Sequence, residues 1–248
     1  MWESGGGRSS RLHVHTARRC PAALSARPQP SLPAPVLSDP SRYHSAGGPG
    51  YTGPVTDSPL KKISEAEYLR TEEASPFKRE YVDGFVYALH SQDGLTAQAG
   101  ATSNHGLICT NLIAALHRPA RQRGCQVYAS DMRVRGDLSG TRYYYPDIVL
   151  TCEDLPGDAR YAQAPCLIAE VLSRSTQDTD RREKVWAYQS LSSLQGYLLV
   201  DTAARAARLY RREAEGWREE YAEGGGQVTL PCVDLPLSLD EIYDGVRL

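Results

Sequence analysis

The sequence predicts an α/β domain: a mixed β-sheet flanked by helices, with antiparallel hairpins at its C-terminal end. Three observations carry this expectation. Residues 166–172 (CLIAEVL) and 197–200 (YLLV) are short and almost wholly apolar, the pattern of strands covered on both faces. Between them, residues 180–191 open with Asp180 and Glu183 at capping-box spacing, so strand, helix and strand alternate along the chain. Beyond them, residues 206–210 and 217–221 alternate around Glu215-Gly216, which reads as a hairpin.

The elements follow in order. Residues 1–59 hold nine of the sixteen prolines and no apolar periodicity, so this stretch is expected to be a disordered extension, with the domain spanning 60–248. No apolar core of a secretory signal follows its arginines. An organelle transit peptide is one reading of the segment; a translation start further along, near Val55 or Leu60, is the favoured one. Ser64 and Glu67 have capping-box spacing, which predicts a helix through Tyr68, Leu69 and Glu72. Residues 77–87 predict two strands joined at Asp83-Gly84, a strong hairpin signal. Leu107, Ile108, Leu112, Ile113 and Leu116 recur at helical spacing and predict a core helix over 104–116. Residues 127–134 predict a strand interrupted by Asp131, read as a charge at a sheet edge. Residues 143–150 (YYYPDIVL) predict a strand in which Pro146 and Asp147 mark a beginning. At the C-terminal end, residues 227–239 are expected to close the sheet and 240–243 to form a short helix.

Composition narrows the function classes. The charged fraction of 23% and apolar fraction of 41% are those of an ordinary globular protein, and no run approaches the about 18 apolar residues of a membrane span. A soluble, cytoplasmic protein without a membrane partner is expected. The formal net charge is −2; residues 1–59 carry about +3, which leaves the domain acidic. A dedicated DNA-coating protein is usually strongly basic, so nucleic-acid affinity would have to come from a local patch or from bound metal. The six cysteines lie far apart without zinc-site spacing, and buried free thiols in a reducing compartment are the simplest account.

The chemistry concentrates on two carboxylates and a lysine. Glu170 is the sole charged residue of an apolar strand, and an unpaired buried carboxylate costs several kcal/mol unless it is paired or holds a metal. Asp147 supplies a second carboxylate on another strand. Two such groups repel unless a cation lies between them, and hard oxygen donors suit Mg²⁺ or Mn²⁺. Lys184, about one turn inside the next helix, would reach the same place if that helix packs back on the strands. There it could help a water attack phosphorus.

These residues also carry a resemblance. Tyr144-Tyr145-Pro146-Asp147-Ile148-Val149, Ala169-Glu170-Val171-Leu172-Ser173 with Ser175-Thr176, Asp180-Arg181 with Glu183-Lys184, and Leu194-Gln195 with Tyr197-Leu198-Leu199-Val200-Asp201 are similar in order and content to the Uma-type restriction-endonuclease family, a branch of the PD-(D/E)XK nuclease-like superfamily. The similarity runs from about Ser64 to Val246. It implies a restriction-endonuclease-like fold, Asp147 and Glu170 as ligands of Mg²⁺ or Mn²⁺, and hydrolysis of phosphodiester bonds, in DNA before RNA. The superfamily's acidic-x-Lys strand ending is here Glu170-Val171-Leu172; the lysine is moved to the following helix, which makes Lys184 the candidate. Glu80 is a candidate third acidic contributor, with a solvated strand charge as the competing reading.

Other readings stay open at this point. Leu172 and the acidic domain favour a nuclease fold that serves as an inactive binding or regulatory module. Glycosidic hydrolysis is disfavoured by the lack of sugar-binding aromatics near the carboxylates. His105, in the first turn of its helix, could touch a phosphate, with capping or surface placement the more common role. Cutting two strands is commonly done by a two-fold dimer, so a homodimer is expected.

Overall fold

The computed structural model describes residues 61–89, 102–136, 140–172 and 180–248. The 1–59 extension expected to be disordered lies outside them. The described residues belong to one compact unit within Thr56–Leu248.

Helix α1 (Glu65–Glu72) starts where Ser64 accepts a hydrogen bond from the Glu67 N–H. Strands β1 (Arg79–Val82) and β2 (Phe85–Ala88) form the hairpin expected at Asp83-Gly84. Both turn residues have positive φ, 51° and 102°, which is why an Asp-Gly pair is found there. Helix α2 (Ser103–Gln122) is longer than its apolar repeat suggested and continues past Pro119. Then come β3 (Gln126–Ala129), β4 (Arg133–Gly136), β5 (Arg142–Tyr144), β6 (Ile148–Thr151), β7 (Tyr161–Ala162), β8 (Pro165–Leu172), α3 (Asp180–Gln189), β9 (Gly196–Asp201), β10 (Ala206–Glu213), β11 (Gly216–Glu223), β12 (Gln227–Leu230), β13 (Leu235–Ser238) and α4 (Leu239–Ile242).

The central sheet has the order β11-β10-β9-β8-β6-β3, with β8 and β9 parallel and their neighbours antiparallel, so it is mixed. Its two faces follow from the period-2 alternation of side chains. Ile148, Leu150, Leu167, Ala169 and Val171 face α2, where Ile108, Leu112 and Leu116 form the matching stripe. Val149, Ile168, Leu172 and Leu199 face the opposite way, against Ala187, Tyr188 and Leu191 of α3. Glu170, two residues from both Ile168 and Leu172, therefore sits on the α3 side. The α/β architecture with helix-flanked mixed sheet and C-terminal antiparallel strand pairs is the one the sequence predicts.

Three expectations about strands need correction. Residues 143–150 are not one strand: Pro146, which cannot donate to a ladder, separates β5 from β6. Strand β5 joins a second sheet, of order β2-β1-β5-β4-β7, while β6 joins the central one. Residues 127–134 divide in the same way, β3 going to the central sheet and β4 to the second. The 227–239 segment closes no large sheet; β12 and β13 pair only with each other in a two-stranded ribbon over the α2 face. The capping role expected of Asp180 concerns a side chain outside those described.

The cysteine reading is also corrected. Cys125 is bonded to Cys152 and Cys166 to Cys232, while Cys109 is free. Sequence separations of 27 and 66 residues hide both pairs, because the strands that bring them together are paired non-locally. Among the described residues no helix is long and apolar enough to cross a membrane.

Candidate active site

The site forms where the two sheets meet. Glu80 comes from β1 of the second sheet, Glu170 from β8 of the central sheet, Lys184 from α3, and Asp147 from the short link between β5 and β6. In the β6–β8 register Ile148 faces Ala169, so Asp147 lies one step on, beside Glu170. The link that Pro146 forces on the chain thus carries it from one sheet to the other and delivers Asp147 at the crossing.

Lys184 points inward. Its Nζ lies 3.0 Å from Glu80 Oε1 and 3.7 Å from Glu170 Oε1, and the side chain is 15% exposed. It also lies 5.7 Å above the Tyr144 ring. Glu80 is not the solvated strand charge of the competing reading: it is buried, and besides Lys184 its Oε1 accepts from the Tyr145 N–H at 3.2 Å. Tyr188, one turn beyond Lys184 on α3, donates to Glu170 Oε1 at 3.3 Å. Asp147 Oδ2 accepts from the Val171 N–H at 2.8 Å and lies 3.3 Å from His105 Nε2. Direct contacts thus join Glu80, Glu170, Lys184 and Tyr188 in one group and Asp147 with His105 in another. The two groups interact across the strand pair through charge.

Electrostatics decides what the cluster needs. Burial pushes the Glu170 carboxyl up to about 7; Lys184 and the Tyr188 hydroxyl pull it down, but Asp147 and Glu80 push it further up. Glu80 and Glu170 both reach Lys184, Asp147 adds its negative charge from across the strand pair, and a further positive charge would ease the repulsion. His105 offers one. The hydrogen bond to Asp147 leads in raising its pKa to about 10, helped by Cys109 and opposed by burial, so the ring is held as imidazolium. Its other nitrogen, Nδ1, lies 3.7 Å from Cys109 Sγ.

In the sequence His105 reads as a possible phosphate contact, with capping or surface placement the more common role. Its bond to Asp147 was not legible, because nothing local says that the start of α2 meets the start of β6. The faint signal was the i,i+4 spacing of His105 and Cys109 on one helix face. His105, Cys109 and Asp147 each place a ligand atom within 4.8 Å of the others, a cluster that could hold a metal ion. Asp131, read as an edge charge, is largely exposed and paired with Lys78 at 2.8 Å.

The carboxylate group also fits a cation of its own. Its donors are hard oxygens, burial and the neighbouring acids work against the charge on Glu170, and the Lys184 ammonium is divided between Glu80 and Glu170.

Comparison with known proteins agrees with this fold. The crystal structure of a putative nuclease of the DUF820 group from Anabaena variabilis shares the fold with a TM-score of 0.58 at 18% identity, covering 75% of this chain and 99% of that one. The uncharacterized protein slr1290 of Synechocystis sp. is 31% identical over 193 residues, 76% of this chain and 95% of that protein. A second protein of the same organism, sll1609, is 31% identical over 155 residues, 61% of this chain and 82% of its own length. A family model described as "Putative restriction endonuclease" matches residues 65–240, from the first turn of α1 into α4 and across every candidate site residue. The chain belongs to the Uma2 family of the PD-(D/E)XK nuclease-like superfamily.

Proposed function

We propose that this protein is a divalent-metal-dependent phosphodiesterase that cuts nucleic acid, with DNA as the substrate. The observation that carries the reading is Lys184: it reaches Glu80 and Glu170 together, from a helix, with Glu170 buried in the strand beside Asp147. Asp147 and Glu170 would hold Mg²⁺ or Mn²⁺. When bound, such an ion supplies a Lewis acid for the phosphoryl oxygen and lowers the pKa of a coordinated water.

The chain's own residues do the rest. Glu80 fixes the direction of the Lys184 ammonium, and Tyr145 N–H fixes Glu80 in turn. Lys184, held between Glu80 and Glu170, would place the attacking water or meet the negative charge that develops at phosphorus. Tyr188 holds Glu170 Oε1 in place, and Oε2 would be the oxygen offered to a cation. Val171 N–H does the same for Asp147 from the backbone. His105 Nε2 holds the Asp147 carboxylate from the α2 side at 3.3 Å.

Finer features belong to the same proposal. The 60–248 segment acts as the catalytic domain, a homodimer presents two sites to a duplex, and the protein works in the cytoplasm. The test is direct. Mn²⁺ titration by calorimetry should show binding that disappears in Asp147→Ala, and plasmid and oligonucleotide panels with Mg²⁺ or Mn²⁺ should show cleavage that disappears with it. Metal binding without cleavage of DNA or RNA would instead support the inactive binding module, and light scattering at micromolar concentration decides the dimer.

A further inference from the structure

We propose that His105, Cys109 and Asp147 form a second ion site, selective for a thiophilic divalent ion such as Zn²⁺, and that its occupation switches the enzyme off by withdrawing Asp147 from the Mg²⁺ or Mn²⁺ site. The second half rests on the reading of Asp147 as a ligand of the hard ion; the first half does not.

The argument begins with the donor set. Mg²⁺ takes oxygen ligands and has no use for a thiolate, whereas Zn²⁺ is bound by sulfur, imidazole and carboxylate together. The three residues offer one of each. His105 and Cys109 stand one turn apart on the same face of α2, the i,i+4 spacing at which helices hold two ligands of one ion. Asp147 comes from across the helix–sheet interface and supplies the third, and three protein ligands with an open fourth position are the arrangement of reactive zinc centres.

The distances agree. Bonds of about 2.3 Å to sulfur and about 2.1 Å to nitrogen or oxygen, at tetrahedral angles, separate donor atoms by about 3.4 to 3.6 Å. Cys109 Sγ lies 3.7 Å from His105 Nδ1, and His105 Nε2 lies 3.3 Å from Asp147 Oδ2. One ion uses a single ring nitrogen, so it takes one of these two pairs as found. The remaining ligand closes by side-chain rotation from within 4.8 Å. Binding exchanges the imidazolium and thiol protons for the ion.

Competition follows from sharing. Asp147 Oδ2 is held by the Val171 N–H on the sheet side and by His105 on the α2 side. An ion pulled toward α2 by a thiolate moves that carboxylate away from Glu170, whose side chain lies on the α3 face. Two divalent ions on one carboxylate would also repel. The structure thus places a soft-ion site and a hard-ion site on opposite sides of one aspartate.

Co²⁺ is the probe, because thiolate ligation gives it a charge-transfer absorption in the near ultraviolet. In the oxidised protein, where the described cysteines other than Cys109 are paired, Co²⁺ should produce this band at one equivalent, and Cys109→Ser should lose it while its circular dichroism stays unchanged. No band in the unaltered protein, or a band that survives in Cys109→Ser, overturns the site. Should Cys109→Ser fail to fold, alkylation decides: Zn²⁺, and not Mg²⁺, should slow iodoacetamide modification of Cys109 in the unaltered protein at least tenfold, and equal rates overturn the proposal. The shared aspartate is read without turnover. Zn²⁺ should release bound Mn²⁺, seen as the returning resonance of the free ion. If both ions stay bound, or if no Mn²⁺ binds at all, the switch is overturned; in the latter case the hard-ion reading falls while the Cys109 site still stands or falls on its own spectrum.

Discussion

Two carboxylates in this molecule have the same kinds of neighbour and opposite properties. Glu65, in the first turn of α1, accepts from Arg135 Nε at 2.9 Å and from the Tyr143 hydroxyl at 2.7 Å. Glu170 has Lys184 at 3.7 Å and the Tyr188 hydroxyl at 3.3 Å. Each is thus an acid with one cation and one tyrosine. Yet the Arg135 and Tyr143 bonds hold Glu65 below its ordinary pKa, whereas burial and the neighbouring acids lift Glu170 to about 7. The difference lies in what else is present. Glu65 is a third exposed and bonds Arg135 directly; Glu170 is deep, and its lysine is nearer to Glu80. One cluster is complete and holds a helix on a sheet. In the other, burial and neighbouring acids work against the charge on Glu170.

The sharpest way to break that comparison is to neutralise each acid. Glu170→Gln and Asp147→Asn should each lower Mg²⁺-dependent cleavage by about 10³-fold or more, while leaving the melting temperature of the metal-free protein unchanged or raised. Glu65→Gln should do the reverse, lowering the melting temperature and sparing cleavage. Parallel melting curves and cleavage rates check all three, and a large stability loss in Glu170→Gln would mean that the two clusters are alike.

Next in size is the cation. Lys184→Ala should lower turnover by on the order of 10²-fold, the loss typical of a donor aimed at developing charge, with a smaller effect on Mn²⁺ affinity. Calorimetry and single-turnover cleavage on one preparation separate the two. A loss confined to metal affinity would make the ammonium a mere neutraliser.

The smallest expected effect, and the most diagnostic, is the sign of a pH slope. In EDTA, Glu170 favours the folded state while protonated, because its folded pKa lies above the unfolded value. Its contribution is complete below about 4.5 and is lost as pH rises through about 7. Glu65, shifted downward, contributes above its unfolded value and loses that contribution as pH falls through the lower folded one. The stability difference between the native protein and Glu170→Gln should therefore change between pH 5 and pH 8, and that for Glu65→Gln only below pH 5. Urea midpoints across this range would show it. Cleavage should rise through about pH 7 as Glu170 sheds its proton.

Much of the candidate site was legible in the sequence because its logic is local. A lone Glu in CLIAEVL, an Asp behind a proline and a Lys one turn into a helix each stand out against their surroundings. Glu80 was legible only as one of two alternatives, since a four-residue strand in which Tyr81 is buried beside it does not reveal which face meets a second sheet. What stayed hidden was partner choice. Alternation identifies a strand but not its neighbour, so the division of residues 143–150 between sheets, the free-standing β12–β13 ribbon and the two cysteine pairs could not be read. Each depends on contacts between segments far apart in the chain. The His105–Asp147 bond was hidden for the same reason.

The Pro146 break gives the protein a built-in clock. The chain leaves one sheet at Tyr144 and enters the other at Ile148, so neither sheet alone owns a whole site: one brings Glu80, the other Glu170, and the link brings Asp147. A refolding chain that has assembled only one sheet holds a partial set of ligands with weak hold on an ion. High-affinity metal capture should therefore coincide with the last kinetic phase of refolding, when the sheets dock, and stopped-flow refolding in the presence of Mn²⁺ would show whether it does. Under the proposed function, such an order of assembly would withhold cleavage of nucleic acid from the chain until its two sheets have docked.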